Sequence, residues 1–401
     1  MYILLFVSLY FEVFMLVSFI EYLLITDDSV SLTPLTTPTV AIIVPCFNEE
    51  KTVASTLKSL LALDYPADKL EILVIDDGSG DNTLAVARSF EKYPQINVFS
   101  KSNGGKHTAM NFALTHTNAD FIGCLDADSS VEPGALRVAI EVFADPRVAA
   151  VTPGIHVRSP KTWLQHLQFV EYRLSLFNRF MLASLGSAFI TPGPFSILRA
   201  RVVRELGGWR HAHSTEDMEM AIRIQEAGHL IANAPGAIVH TSTPRTVSAL
   251  FKQRVRWTYG FLQNMRDNKH LFGNALYGNL GLIVLPTALI SIGAAMYFFL
   301  HMAWSIAVSI VHVYEQLALG NVLIWPRFDV YFINTSMLGF IIMVSILLLV
   351  TLLAAGSWIG TRSKFPPLAT PLFVLCYGFL APLWLGTAVY RAARNNGVQW
   401  R

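Results

Sequence analysis

Asp126 and Asp128 close a short apolar run that begins at Ala119. Carboxylates at i and i+2 at the end of a β-strand can converge on one hard cation, and Mg2+ and Mn2+ take oxygen ligands and commonly bridge substrate phosphates. Standing alone, the triplet reads equally well as a solvated acidic turn. It does not stand alone. Asp76-Asp77-Gly78-Ser79 ends another apolar run, where a carboxylate can accept from a nucleobase N–H or a ribose hydroxyl. Asn103-Gly104-Gly105-Lys106 allows close backbone approach and offers an ammonium to a phosphate; its bland reading is a tight turn. Ser214-Thr215-Glu216-Asp217 precedes a helical stretch, 218–227. Its acids either complement a helix N-terminus or supply a general base for a hydroxyl acceptor. Gln253, Arg256 and Trp257 lie at i, i+3 and i+4, one face of a helix. The guanidinium can neutralise a departing diphosphate and the indole can stack on a sugar, unless the segment is simply a basic-aromatic interface helix.

These groups need a scaffold. Residues 39–47, 71–79, 119–128 and 148–155 are short, β-branched apolar runs, as buried parallel strands are. Between the first two, residues 48–63 carry Val53, Leu57, Leu60 and Leu61 at helical spacing. The alternation predicts a doubly wound, Rossmann-like α/β domain with its ligands at the carboxyl ends of the strands. Residues 163–185 and 248–271 read as amphipathic helices, either at a membrane surface or packed on the soluble core.

Composition sets the surroundings of this domain. The chain has 401 residues, 53% hydrophobic and only 14% charged, against about 25% charged in ordinary soluble domains. From Asn274 onward only six basic and two acidic residues occur. A water-soluble domain joined to a membrane region follows. The net charge of +2 argues against nucleic acid as a partner. Cys46, Cys124 and Cys376 are isolated, so neither a disulfide framework nor a zinc site is expected. Residues 2–25 are long enough to span a bilayer and lack the basic start and small-residue cleavage site of a signal peptide. Glu12 and Glu21 are unusual inside such a span. Residues 27–38 read as a polar linker. Further apolar stretches run over 280–313, 330–359 and 369–390, the first long enough to break near His301 and Trp304, so four spans are expected and five is the alternative. Basic residues over 252–269 favour a cytoplasmic catalytic domain, whereas those flanking the last span (Arg362 and Lys364; Arg391, Arg394 and Arg401) leave the C-terminal side open.

Taken in order, VPCFNEE, VIDDGS, NGGK, DAD, TED and QRVRW, with one span before and several after, resemble the membrane-embedded family 2 glycosyltransferases, which include the poly-N-acetylglucosamine, hyaluronan, chitin and cellulose synthases. The likeness covers roughly residues 1–275 by motif and the remainder by hydropathy. It implies a GT-A-like catalytic domain inserted between transmembrane helices, with amphipathic interface helices. The expected layout is an N-terminal transmembrane helix (1–26), a cytoplasmic catalytic domain (27–245), an interface helix region (246–275), and a C-terminal membrane region of three or four helices (276–401). The resemblance assigns Pro45, Asn48, Glu49 and Asp77 to the uracil and ribose of a UDP-sugar, and Lys106, Asp126 and Arg256 to the donor diphosphate. Mg2+ or Mn2+ would be held by Asp128, with Asp126. Asp217 would be the catalytic base with Glu216 beside it, and Gln253, Trp257 and Thr215 would meet the acceptor. The implied activity is inverting, processive polymerisation of a UDP-sugar, such as UDP-N-acetylglucosamine, at the plasma membrane. The partners would be a glycan acceptor, the lipid bilayer and, optionally, an accessory membrane subunit. A ceramide glucosyltransferase-like transfer of one sugar to a lipid is the alternative, and a silent membrane scaffold would have lost some of these acids. No FxVTxK motif follows the later spans, so cellulose synthesis under cyclic-dinucleotide control is not expected.

Overall fold

The computed structural model describes residues 2–25, 37–320, 336–361, 363 and 365–394. The linker reading over 27–38 lies almost wholly outside the described residues, as do Arg362, Lys364 and Arg401.

The apolar runs form strands. β1 (Val40–Cys46), β2 (Leu70–Asp76), β3 (Ile96–Ser100), β4 (Phe121–Cys124), β5 (Ser130–Val131), β6 (Val148–Val157), β7 (Ser196–Arg199) and β8 (Leu230–Thr241) make one sheet in the order β3-β2-β1-β4-β7-β6-β8-β5. β2, β1 and β4 are parallel, as expected, and β3, not anticipated as a strand, joins them in parallel. The remainder is not uniformly so. β7 runs antiparallel to both β4 and β6, and β5 antiparallel to β8. The sheet is therefore mixed, with β7 inserted between β4 and β6 and running against both. Alternate residues of β1 feed two cores. Val40, Ile42 and Val44 pack on one face, Ala41 and Ile43 on the other, which is why these strands read as continuous apolar runs.

The helices are α1 (Tyr2–Ile25), α2 (Val53–Leu61), α3 (Thr83–Arg88), α4 (Lys106–Thr115), α5 (Ala135–Glu141), α6 (Trp163–Ser184), α7 (Ala200–Glu205), α8 (Glu216–Glu226), α9 (Val247–Asp267), α10 (Leu285–Ala318), α11 (Met337–Thr361) and α12 (Thr370–Ala393). α2 starts five residues later than the periodicity suggests. Asn48 has φ +57 and bonds the loop after β2 through its own N–H and Oδ1, so the chain cannot enter a helix there.

Among the described residues four helices are long and apolar enough to cross a membrane: α1, α10 with the turn before it, α11 and α12. α10 continues unbroken through His301 and Trp304, where the five-span alternative had its break. The two amphipathic segments pack against these apolar helices rather than only on the sheet. Phe177 and Met181 of α6 share a cluster with Met15 and Phe19 of α1 and Leu352 of α11. Val255 and Tyr259 of α9 pack on Trp384 and Ala388 of α12. Glu12 lies one and two turns before Met15 and Phe19, on the packed side of α1, whereas Glu21 is exposed near its end.

Candidate active site

The sheet opens where the chemistry lies. β1 pairs with β2 through Cys46, but its pairing with β4 stops at Ile43 and Cys124. Ile43 bonds toward β4, since its carbonyl accepts from Leu125 N. Pro45, two residues on, presents the same edge and has no N–H to offer. Strand order reverses between β1 and β4, and in open α/β sheets ligands bind at that reversal.

Four loops line this opening. Asn48 ties the loop after β1 to the loop after β2: its N–H donates to Ser79 Oγ (3.0 Å) and its Oδ1 accepts from Gly80 N (2.9 Å). Glu49 accepts from Thr52 Oγ1 at 2.6 Å. Asp77, 4% exposed, accepts from Lys101 Nζ (2.6 Å) and from the N–H groups of Gly104 (3.1 Å) and Gly105 (2.8 Å). The carboxylate expected at the nucleoside is therefore also the anchor of the Asn-Gly-Gly turn. Beside it, Asp76 Oδ1 is a buried acceptor without a hydrogen-bond partner among the described residues.

Lys106 opens α4 and donates to Asp126 Oδ1 at 2.6 Å. Burial alone would lower the lysine's pKa; Asp126, helped by Cys124 and Glu216, outweighs it, and the net shift is upward. Asp128 follows, with Ser129 Oγ donating to it at 3.3 Å. Burial first, then Asp126 and Glu49, raises its pKa to about 6. A carboxyl made this basic by burial and by two neighbouring acids is a ready cation ligand. No third His, Cys, Asp or Glu joins the pair among the described residues. A two-carboxylate oxygen set suits Mg2+ or Mn2+, which keep waters and substrate phosphates as their other ligands, so the residues present fit such an ion.

The proposed base arrives from the other side. Asp217 lies in the first turn of α8, and its backbone carbonyl accepts from Thr191 Oγ1 (2.8 Å) and Thr191 N (3.2 Å). Two residues later, Gly193 presses on the ion pair: a Cβ there would sit 2.5 Å from Lys106 Nζ and 3.0 Å from both Asp126 oxygens. The 191–193 segment thus bridges Asp217 and Asp126. Burial, then Glu216, raises Asp217's pKa to about 6, against the opposing pull of Lys106, the Met218 N–H and Arg256. Neither Thr191 nor Gly193 was visible as a site residue in the sequence. The Pro-Gly-Pro run over 192–194 was the only signal, and it reads as a loop.

α9 locks onto this end of α8. Gly260 lies so close to Thr215 that any side chain would collide with it. Thr215, 5% exposed, donates to Ala212 O (3.0 Å) and accepts from Asn264 Nδ2 (2.9 Å). Its hydroxyl thus also belongs to this helix–helix joint. Arg256 donates to Ser214 O at 3.3 Å, Gln253 is partly exposed, and Trp257 is 39% exposed. Arg254, which the motif passes over, is the buried member. It stacks on Trp257 (4.3 Å to the ring centre) and pairs with Glu171 of α6 at 2.6 Å, and Glu171 also accepts from Tyr377 of α12.

Residues 38–260 match the family described as glycosyltransferase like family 2. The chain belongs to this family. Over 224 residues it is 32% identical to the poly-beta-1,6-N-acetyl-D-glucosamine synthase of Staphylococcus epidermidis, covering 55% of this chain and 54% of that protein. It is 33% identical over the same length to the synthase of that name from Staphylococcus aureus. The chain thus spans about half the length of the curated relatives it matches. The mannosyltransferase PcManGT of Pyrobaculum calidifontis, solved with GDP-Man and Mn2+, shares the fold over 98% of both chains, with a TM-score of 0.61 and 19% identity.

Proposed function

We propose that the chain is an inverting, metal-dependent, processive β-glycosyltransferase that polymerises a UDP-sugar, UDP-N-acetylglucosamine or a related hexose, and exports the product through its own membrane helices. The reading rests chiefly on the 191–193 segment, which holds Asp217 at one end and touches the Lys106–Asp126 pair at the other. A base is thereby fixed a short span from a diphosphate site. That the staphylococcal relatives are poly-beta-1,6-N-acetyl-D-glucosamine synthases supports a polymer.

In this mechanism Pro45, Asn48, Glu49 and Asp77 enclose the nucleoside. Lys106 and Arg256 hold the diphosphate, with Asp126 fixing the lysine. Gln253 and Trp257 orient the acceptor. Asp217 takes the proton from the acceptor hydroxyl while that oxygen bonds to the anomeric carbon and the carbon–diphosphate bond breaks. Glu216 raises the basicity of Asp217. A divalent ion on Asp128 and Asp126 would supply Lewis-acid neutralisation of the leaving diphosphate. Displacement from the opposite face turns an α-linked donor into a β-linkage. The basic residues over 252–269 support a catalytic domain on the cytoplasmic side of the plasma membrane.

The test is to incubate purified full-length protein with radiolabelled UDP-sugars, and with GDP-mannose, in Mg2+ or Mn2+, and to size the product. Long chains from a UDP-sugar support the reading. One labelled sugar on a lipid would replace it with the ceramide glucosyltransferase-like alternative.

A further inference from the structure

At the edge of the cleft, where β6 and β8 end, hydrogen-bond donors collect without acceptors. His156 (6% exposed) and Arg173 of α6 (8% exposed) touch, with Arg173 Nη1 donating to His156 Nδ1 at 3.3 Å. Burial, followed by the charges of Arg173, His240 and Arg179, pushes the His156 pKa down to about 3, so the ring is neutral. With Nδ1 accepting, the ring's proton sits on Nε2, and that atom is buried with no hydrogen-bond partner among the described residues. Arg158 Nη2, two residues along from His156, and Arg179 Nη2 on α6 are likewise buried with no hydrogen-bond partner among the described residues. Arg173 lies over the Phe169 ring, 4.7 Å from its centre, and Arg179 Nε donates to Ser175 O at 3.3 Å. His240, 5.9 Å from His156 between ring centres, is paired with Glu132.

These unmatched groups are all donors, and the guanidinium groups are cationic. Buried cations without a counter-charge are costly, and they persist where an anion completes them. The position narrows the anion. Gly360, in the last turn of α11, comes within 2.8 Å of Arg173 Nη1 and 3.3 Å of His156 Cε1 when given a Cβ. α11 has 25 residues, about 37 Å at 1.5 Å per residue, against roughly 30 Å of hydrocarbon. Its final turn therefore sits at headgroup depth, where phosphate is the prevailing anion, and basic pockets between membrane helices take such headgroups.

We propose that His156, Arg158, Arg173 and Arg179 form a pocket for the phosphate of an anionic lipid headgroup at the membrane edge of the cleft. The pocket is independent of the donor and product assigned above, and lipid binding is measurable with no sugar nucleotide present.

The experiment is thermal unfolding of the purified full chain in dodecyl maltoside with dioleoyl phosphatidic acid, dioleoyl phosphatidylcholine or inorganic phosphate. Phosphatidic acid is expected to raise the midpoint by about 3–5 °C, in the range that ligand linkage gives at saturating concentration, and the other two by less than a degree. Arg179→Gln is expected to abolish the shift and to raise the lipid-free midpoint, since it removes a buried unmatched charge. A purely structural arginine would lower that midpoint instead. Should Arg179→Gln fail to fold, His156→Phe serves, removing the Nε2 donor from a ring that is already neutral. Equal shifts with phosphatidylcholine, an equal shift with inorganic phosphate, or an undiminished shift in a folded variant would each overturn the lipid pocket.

Discussion

Asp217 and Asp128 both have carboxyl groups raised to about 6, chiefly by burial, and the consequences can be separated. A base must be ionised to act, so transfer is expected to fall as pH drops through about 6, read as a pH profile of kcat/KM. Asp217→Asn should lower kcat at least about 100-fold and leave UDP affinity, by calorimetry, within about threefold. Retained turnover would refute the base assignment. A carboxyl whose pKa is higher folded than unfolded costs stability above that pKa, and the cost fades as pH falls toward the unfolded value near 3.8. Asp217→Asn should therefore raise Tm at pH 7.5, by an increment of order 1 kcal/mol after screening, and leave it unchanged near pH 4. For Asp128, Asn should weaken Mn2+-dependent UDP binding about tenfold or more, and chelation of the ion should bring the two proteins level. These acids were legible because strand ends and an acidic helix start mark them. The double duty of Asp77 and the joint at Thr215 were not, because each depends on a partner far along the chain: Lys101 and Gly104 for one, Gly260 and Asn264 for the other.

Among elements, the joint of α8 and α9 and the Glu171–Arg254 pair connect the candidate site to packing. Gly260→Ala would force α9 off Thr215. It is expected to cost about 1–3 kcal/mol in chemical denaturation and to lower kcat more than donor affinity, because Asp217 and Arg256 would move apart. Glu171→Gln leaves Arg254 buried and uncompensated, with an expected loss of about 3 kcal/mol, and adding Arg254→Met should recover much of it. The strands β1, β2, β4 and β6 were readable from apolar runs and β-branching, and α6 and α9 from amphipathic spacing, whereas the runs that form β3, β5, β7 and β8 were not read as strands. The antiparallel entry of β7 was not readable, since its four residues carry no direction in their composition.

For the molecule as a whole, the soluble and membrane parts are not separable modules. Leu167 and Val170 of α6 pack on Leu353 and Phe373, and Val255 and Tyr259 of α9 on Trp384 and Ala388. A chain cut to residues 38–260 would expose these faces and is expected to aggregate; a monodisperse monomer on size exclusion would contradict that expectation. The charge imbalance along the chain foretold two parts, but gave no sign that they share their cores. The proline in β1 bears on the same integrity at a smaller scale. Two strands that run side by side and then part could knit together by one more rung. Pro45 withholds the hydrogen that this rung would use, so the mouth between β1 and β4 is kept open by an omission in the backbone, and a residue such as alanine there would offer the missing stitch.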